Sequence, residues 1–190
     1  MDIYKTLTDS ELINLSLKNS EAFGIIVERY NEKLSKYIKR RSHASKQDVE
    51  DILQNVFIKI YKNMNDYDEN LNFSSWIYRI TYNELIDWYR KDKTRSTLSL
   101  DDTDIGILEK ISEETYEEIL KKIDKQKEKE LIEKSLEKIK PNYKEIIILK
   151  YFEDRSYEEI SDILKIPIGT VATWVSRAKN ELKKIIEKEK

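Results

Sequence analysis

The chain has 190 residues, balances 35 Lys and Arg against 37 Asp and Glu, and contains no Cys and one His, which excludes disulfides, thiol chemistry and multi-His metal centres. With 3 Gly, 2 Pro, 38% charged residues and no apolar run near the ~18 residues that span a bilayer, the composition points to a soluble, cytoplasmic, all-α protein of one or two small domains. A net charge of −2 is a poor match to bulk electrostatic binding of nucleic acid, so any DNA contact is expected to be local or shared with a larger partner.

Two helices are predicted first, over Glu11–Ser20 and Glu21–Arg40, from Leu12, Leu15, Phe23, Ile26, Val27, Tyr30, Leu34 and Ile38 at helical spacing. His43 follows in the polar stretch KRRSHASKQD and reads as a surface loop residue. Lys46–Lys62 is the cleanest periodic segment. Val49, Ile52, Leu53, Val56, Phe57, Ile60 and Tyr61 form one apolar stripe, and Asp48, Asp51, Asn55 and Lys59 lie opposite, with Gln54 at the edge. After the loop NMNDYDENLN, Ser74 or Ser75 is expected to cap a helix containing WIYRITYNELIDWYRK. Along it Trp76, Arg79, Ile80, Asn83, Asp87 and Arg90 share one face, while Ile77, Tyr78, Thr81, Tyr82, Leu85 and Trp88 face elsewhere and can bury.

From Asp92 to about Glu114 the pattern collapses into Ser, Thr, Asp and Gly without a sustained apolar face, which predicts a linker between two halves. A helix is predicted over Tyr116–Lys140, ended by Pro141, and Asn142–Glu153 carries the apolar run IIIL followed by KYF. Ser156 and Glu159 form a capping box that starts a helix at Tyr157. Lys165, Ile166 and Pro167 end it, and a second helix begins near Ile168 with Val171, Val175, Ala178, Leu182 and Ile185 on one side. Two short helices about a four-residue turn fit a DNA-reading helix-turn-helix, and spacing alone equally fits an αα-corner inside a bundle. Thr170, Thr173, Trp174 and Arg177 lie on the far side. Gly169 permits close packing or close approach, and Trp174 reads either as a core ring or as a contact to a thymine methyl or sugar.

Both halves resemble one family. QDVEDILQNVFIKIYKNMNDYDENLNFSSWIYRITYNELIDWYRK is similar to region two of bacterial RNA polymerase sigma factors of the small extracytoplasmic-function (ECF) group, and LEKIKPNYKEIIILKYFEDRSYEEISDILKIPIGTVATWVSRAKNELKK is similar to region four. The resemblance implies two small helical domains, 1–92 and 116–190, joined by a flexible acidic linker, 93–115. It implies a non-enzymatic specificity subunit without catalytic residues, metal, cofactor or small-molecule substrate. The implied partners are core RNA polymerase, through its β′ clamp helices and β flap, promoter DNA, and an anti-sigma factor.

Asp48, Asp51, Gln54 and Asn55 are then the clamp-binding set. Asn72, Phe73, Ser74, Trp76, Arg79, Asn83, Asp87 and Arg90 are the set for the melted −10 element, with Trp76 placed to stack an unpaired base for ~1–3 kcal/mol. Arg155, Thr170, Thr173, Trp174 and Arg177 are the set for the −35 duplex. The acidic linker gains a second reading, as a mimic of nucleic-acid charge in the polymerase. Asn55 departs from the family, which has an acidic residue there, and Lys165 stands where Gly is frequent, a position expected to need positive φ. Ala172, Trp174 and Ser176 replace the Lys, Arg and His frequent in the recognition helix. The residues themselves leave two other classes open, a free-standing helix-turn-helix regulator and a helical adaptor with no nucleic-acid role.

Overall fold

Thr8 and Glu11 begin the first well-capped helix. The Thr8 backbone N–H donates to the Glu11 carboxylate at 2.7 Å, and the Glu11 N–H donates back to the Thr8 hydroxyl at 3.3 Å. In the computed structural model, which describes residues 2–68, 71–91, 132 and 134–189, every element among those residues is helical. The chain divides into two compact units, one built from the helices before Lys91 and one from those after Ile132. The expected linker 93–115 and most of the expected helix Tyr116–Lys140 lie outside the described residues.

The first unit contains α1 (Asp2–Lys5), α2 (Asp9–Ser16), α3 (Ser20–Arg41), α4 (Lys46–Lys62), a 3₁₀ turn (Met64–Asp66) and α5 (Phe73–Lys91). The Thr8 cap moves the start of α2 ahead of the expected Glu11. The chain breaks at Leu17–Asn19, where the Asn19 side chain accepts from the Glu21 N–H at 2.9 Å and restarts the helix as α3. Ser45 and Asp48 form the capping box of α4, whose expected bounds hold. Asp9 ties α2 to α3, binding Arg29 Nη1 at 2.5 Å and accepting from the Tyr30 hydroxyl. The core is then apolar stripe against apolar stripe. Leu12, Ile26, Leu34, Val56, Ile60 and Ile77 are buried, and the Tyr37 and Tyr78 rings, both fully covered, sit 5.2 Å apart. Such a ring pair adds about 0.5–1.5 kcal/mol beyond burial. The end of α5 is held as well, since the Tyr89 hydroxyl donates to the Arg41 carbonyl at 3.1 Å.

The second unit contains α6 (Pro141–Ile147), a π-helical turn (Ile148–Phe152), α7 (Tyr157–Leu164) and α8 (Ile168–Glu189). Pro141 starts α6, where its missing N–H costs nothing. The run Ile146, Ile147, Ile148 and Leu149 is buried all round. The expected single segment Asn142–Glu153 widens midway, and the Glu153 N–H closes the π turn on the Ile148 carbonyl at 3.1 Å. Tyr143, Ile147, Ala178, Leu182 and Ile186 form the core cluster with Ile132, Leu136 and Ile139.

Candidate nucleic-acid and polymerase interfaces

Helix α5 starts differently from expectation. Asn72, not Ser74 or Ser75, supplies the cap, its side-chain oxygen accepting from the Ser75 N–H at 3.2 Å. Ser75 is buried and Ser74 half-buried. Phe73 and Trp76, expected at the DNA, are 4% and 6% exposed. Both pack on Tyr67, with ring centroids 5.2 and 5.3 Å away. The reason lies in the preceding loop. Met64 and Tyr67 are buried and the Tyr67 hydroxyl donates to the Leu71 carbonyl at 2.7 Å, so this segment covers the first turn of α5. Counting helix faces places Trp76 on the polar stripe, and the loop then buries that end of the stripe.

Farther along, the division of faces is close to the expected one. Ile77, Tyr78, Thr81 and Leu85 are buried, Tyr82 and Trp88 half-buried, and Asn83 and Arg90 exposed, with Arg79 and Ile80 between. Asp87 is engaged inside the unit, 3.4 Å from Lys59 Nζ and 3.9 Å from Arg90 Nη1. A carboxylate so placed orients cations and offers no attraction to phosphate. Glu84, one residue from Asn83, was not among the expected site residues and is 4% exposed. Its carboxylate meets Lys59 Nζ at 2.5 Å, which makes Lys59 a tie between α4 and α5. Glu84 raises the Lys59 pKa above the ordinary lysine value through its hydrogen bond and then its charge, burial opposes that, and Asp87 adds to it. The signal that could have found Glu84 is its register, seven residues after Ile77 and three after Thr81, which sets it at the burying side of α5.

On α4 the outward face carries Asp51, Gln54 and Asn55, all exposed. Asp48 is half-buried and bonded to Ser45 as the cap, so its carboxylate is partly committed. The same face continues through Ile58, 44% exposed, and Tyr61, 48% exposed and edge-on to Phe23 at 5.1 Å. Tyr61 therefore lies off the buried stripe. Ile58 was legible as a signal, because an Ile one turn beyond Gln54 and Asn55 interrupts a polar face.

In the second unit the Ser156–Glu159 capping box forms, with bonds of 2.8 and 3.1 Å, and α7 begins at Tyr157. Lys165 has φ 56°, the left-handed conformation expected there, and Asp154 on the other side of α7 has φ 52°. The turn is closed by the Ser161 hydroxyl, which donates to the Ile166 carbonyl at 2.6 Å, and α8 starts at Ile168. Val171, Val175, Ala178 and Leu182 are buried. Ile185, expected with them, is half-buried. Thr170 and Arg177 are half-buried, and the Thr173 hydroxyl donates to the Gly169 carbonyl at 2.9 Å. Two expected DNA contacts are otherwise occupied. Trp174 packs against the core cluster, and the Arg155 side chain is 13% exposed with Nη1 3.2 Å from Glu159. A ring at that register meets the core because Val171, Val175 and Ala178 draw the helix down on that side.

The geometry is therefore two helical units, one with a polar–apolar outward face on α4 and the exposed Asn83 on α5, the other with a helix-turn-helix. Residues 26–95 match the sigma-70 region 2 family, and residues 129–182 match sigma-70 region 4. The ECF RNA polymerase sigma factor SigW of Bacillus subtilis is 34% identical over 169 residues, covering 87% of this chain and 89% of that protein. The chain belongs to the ECF sigma factors, a family of transcription-initiation factors. The ECF sigma-E factor of Escherichia coli K12 is 27% identical over 184 residues, 93% of each chain. Among solved structures, CnrH in complex with the cytosolic domain of CnrY has a TM-score of 0.69 at 21% identity, covering 96% of this chain and 99% of that one. RpoE in complex with the anti-sigma factor NepR from Bartonella quintana has a TM-score of 0.62 at 24% identity, over 87% and 96%. Both share the all-α sigma fold. Among the described residues no helix is long and apolar enough to cross a membrane.

Proposed function

We propose that this ECF sigma factor binds core RNA polymerase, opens its promoters with the first unit and reads their −35 duplex with the second. The observation that carries the reading is adjacency within one unit. The exposed face of α4, with Asp51, Gln54, Asn55 and Ile58, belongs to the helix that Lys59 ties to α5, which carries the exposed Asn83. Polymerase on α4 and promoter strand on α5 are then served by one rigid pair of helices. Asp48 contributes at the rim of the polymerase face.

On α5 the −10 strand meets Asn83 at a base edge, with Arg79 and Arg90 toward phosphates and Ser74 near the start of the helix. Asn72, Phe73, Trp76 and Asp87 act by shaping that helix. Flipping a base costs a few kcal/mol, so strand opening draws on the polymerase contact as well. The near-neutral chain supports this division, being silent on free DNA and active as holoenzyme. The factor performs no catalysis of its own and works in the cytoplasm. An anti-sigma protein is a further partner, a reading supported by the similar RpoE, which was solved with the anti-sigma factor NepR.

The test is in vitro transcription with core polymerase and a genomic promoter pool, with and without the chain. New start sites that require the chain are expected. Failure to bind core, or binding of a palindromic duplex without polymerase, would overturn the proposal in favour of a free-standing regulator.

A further inference from the structure

The base-reading end of a helix-turn-helix is the N-terminal part of its second helix. In α8 that part is Ile168–Ser176, with the sequence IGTVATWVS, and it contains no Arg, Lys, His, Asn, Gln, Asp or Glu. The side chains that pair with guanine or adenine through two hydrogen bonds, Arg, Lys, Asn and Gln, are all absent from it. The first cation is Arg177, followed by Lys179, Lys183, Lys184 and Lys188. Charge is thus confined to the stretch of helix that runs out along the backbone.

What the reading end does present is methyl-rich, with the half-buried hydroxyl residues Thr170 and Ser176 beside Thr173 as its polar side chains. Ile168 stands at the tip of α8 and is 47% exposed, a large apolar side chain with no burial to account for it. Ala172, one turn on, is half-buried, and so is Thr173. The Thr173 hydroxyl donates to the Gly169 carbonyl at 2.9 Å, so its proton is committed within the helix, and it offers a neighbour its methyl and an acceptor oxygen but no donor. Val171 and Val175 are buried, and the half-buried Trp174 packs against the core cluster. Gly169 lies among the outward residues. A Cβ there would meet no atom within 4 Å beyond its chain neighbours and its own helical backbone, and its φ is not positive. Neither packing nor backbone conformation inside the chain calls for glycine at that point. A missing side chain there lets another molecule come close to the start of the helix.

We infer that this factor reads its −35 element chiefly through thymine C5-methyl groups, packed against Ile168, Ala172 and the Thr173 methyl, with Gly169 admitting the base edges. The inference rests on the proposed −35 role of the second unit and names the chemistry that unit recognises. Ala, Thr and other apolar side chains contact the thymine methyl in the major groove, where that methyl is the one apolar feature of the four bases. The commonest specific contact, Arg or Lys on guanine, is not available to the first nine residues of this helix, Ile168–Ser176. Arg177 and the lysines beyond it fix the helix on phosphates and carry affinity without sequence.

The experiment uses holoenzyme and one promoter recovered from the genomic pool. Each thymine of the −35 element, on either strand, is replaced by deoxyuridine, which removes the methyl and leaves every hydrogen-bonding group in place. Initiation is then measured with the wild-type chain and with Ile168→Ala. Losing one buried methyl corresponds to about fourfold in promoter affinity, so two contacted thymines should give a loss on the order of tenfold. Ile168→Ala should make at least one of these positions indifferent to uridine, a coupling that simple destabilisation of the chain would not produce. If transcription from the thymine promoter is normal and uridine at every −35 position has no effect, the inference is wrong while the proposed function stands. If the chain directs no start site at all, the proposed function and the inference fail together.

Discussion

Lys59 on α4 holds Glu84 on α5 at 2.5 Å, and the two ends of this ion pair stand in different surroundings. The Lys59 side chain is 44% exposed, whereas that of Glu84 is 6% exposed. Removing the lysine strands a carboxylate away from water, while removing the carboxylate leaves an ammonium that can turn outward. Lys59→Met should therefore cost more stability than Glu84→Gln. The first approaches the ~3–5 kcal/mol of a broken buried pair, and the second stays near the ~1 kcal/mol of a lost hydrogen bond. Urea unfolding of both variants measures the difference.

The same pair sets an alkaline limit. Lys59 has a raised pKa in the folded chain, so the folded state binds the proton more tightly than the unfolded one. The stabilisation is complete below the unfolded lysine pKa and is lost as pH rises through the higher folded value. Wild type and Lys59→Met should differ by a constant amount around neutral pH and converge in strongly alkaline buffer.

Trp76 and Asn83 are predicted to part company. Trp76 is in the core with Phe73 and Tyr67, so Trp76→Ala should destabilise the first unit by about 3–5 kcal/mol. Asn83 is exposed, so Asn83→Ala should leave the melting temperature unchanged while reducing promoter opening by roughly tenfold or more. Thermal unfolding beside transcription assays separates the two. Asn72→Ala should fall between them, losing ~1 kcal/mol as a cap, and Asn72→Asp should restore it.

Two residues with positive φ bracket α7. Asp154→Gly and Lys165→Gly each relieve a left-handed L-residue, and each should stabilise the second unit by about 1 kcal/mol. Lys165 forfeits its contact with Asp162 in the exchange, and a pair with the lysine 62% exposed is worth little. A rise in the urea midpoint of each variant is the expected reading.

Ile58 offers a direct probe of the polymerase face. At 44% exposure its side chain contributes little to folding, so Ile58→Lys should preserve stability and weaken core binding. Fluorescence anisotropy of the labelled chain against core polymerase reads the effect.

Periodicity alone was enough to read α4, α7 and the start of α8, because each has a clean apolar stripe and α7 has its capping box in the sequence. The left-handed backbone at Lys165 was legible only through the family resemblance, which places a frequent Gly there. The burial of Trp76 was not, because it depends on a loop folding back over the first turn of α5, and helix periodicity is blind to the chain that precedes it. Lys59 and Glu84 were hidden for a similar reason. Glu84 falls beside Ile77, Ile80 and Trp88 on α5 and Lys59 at the edge of the α4 stripe, and only the packing of α4 on α5 shows that the two meet. Trp174 shows the limit at the candidate site. Its position on α8 fits either the core or the groove, and the structure packs the half-buried ring against the cluster of Ile147, Ala178 and Leu182.

The most direct test of the account is permanganate mapping of unpaired thymines at the −10 element of a recovered promoter. Core polymerase plus the wild-type chain should expose them, and neither component alone should do so. With Asn83→Ala, core binding should persist and the reactive thymines should largely disappear. Opening by the chain without core, or full opening with Asn83→Ala, would contradict the assignment of polymerase to α4 and promoter strand to α5.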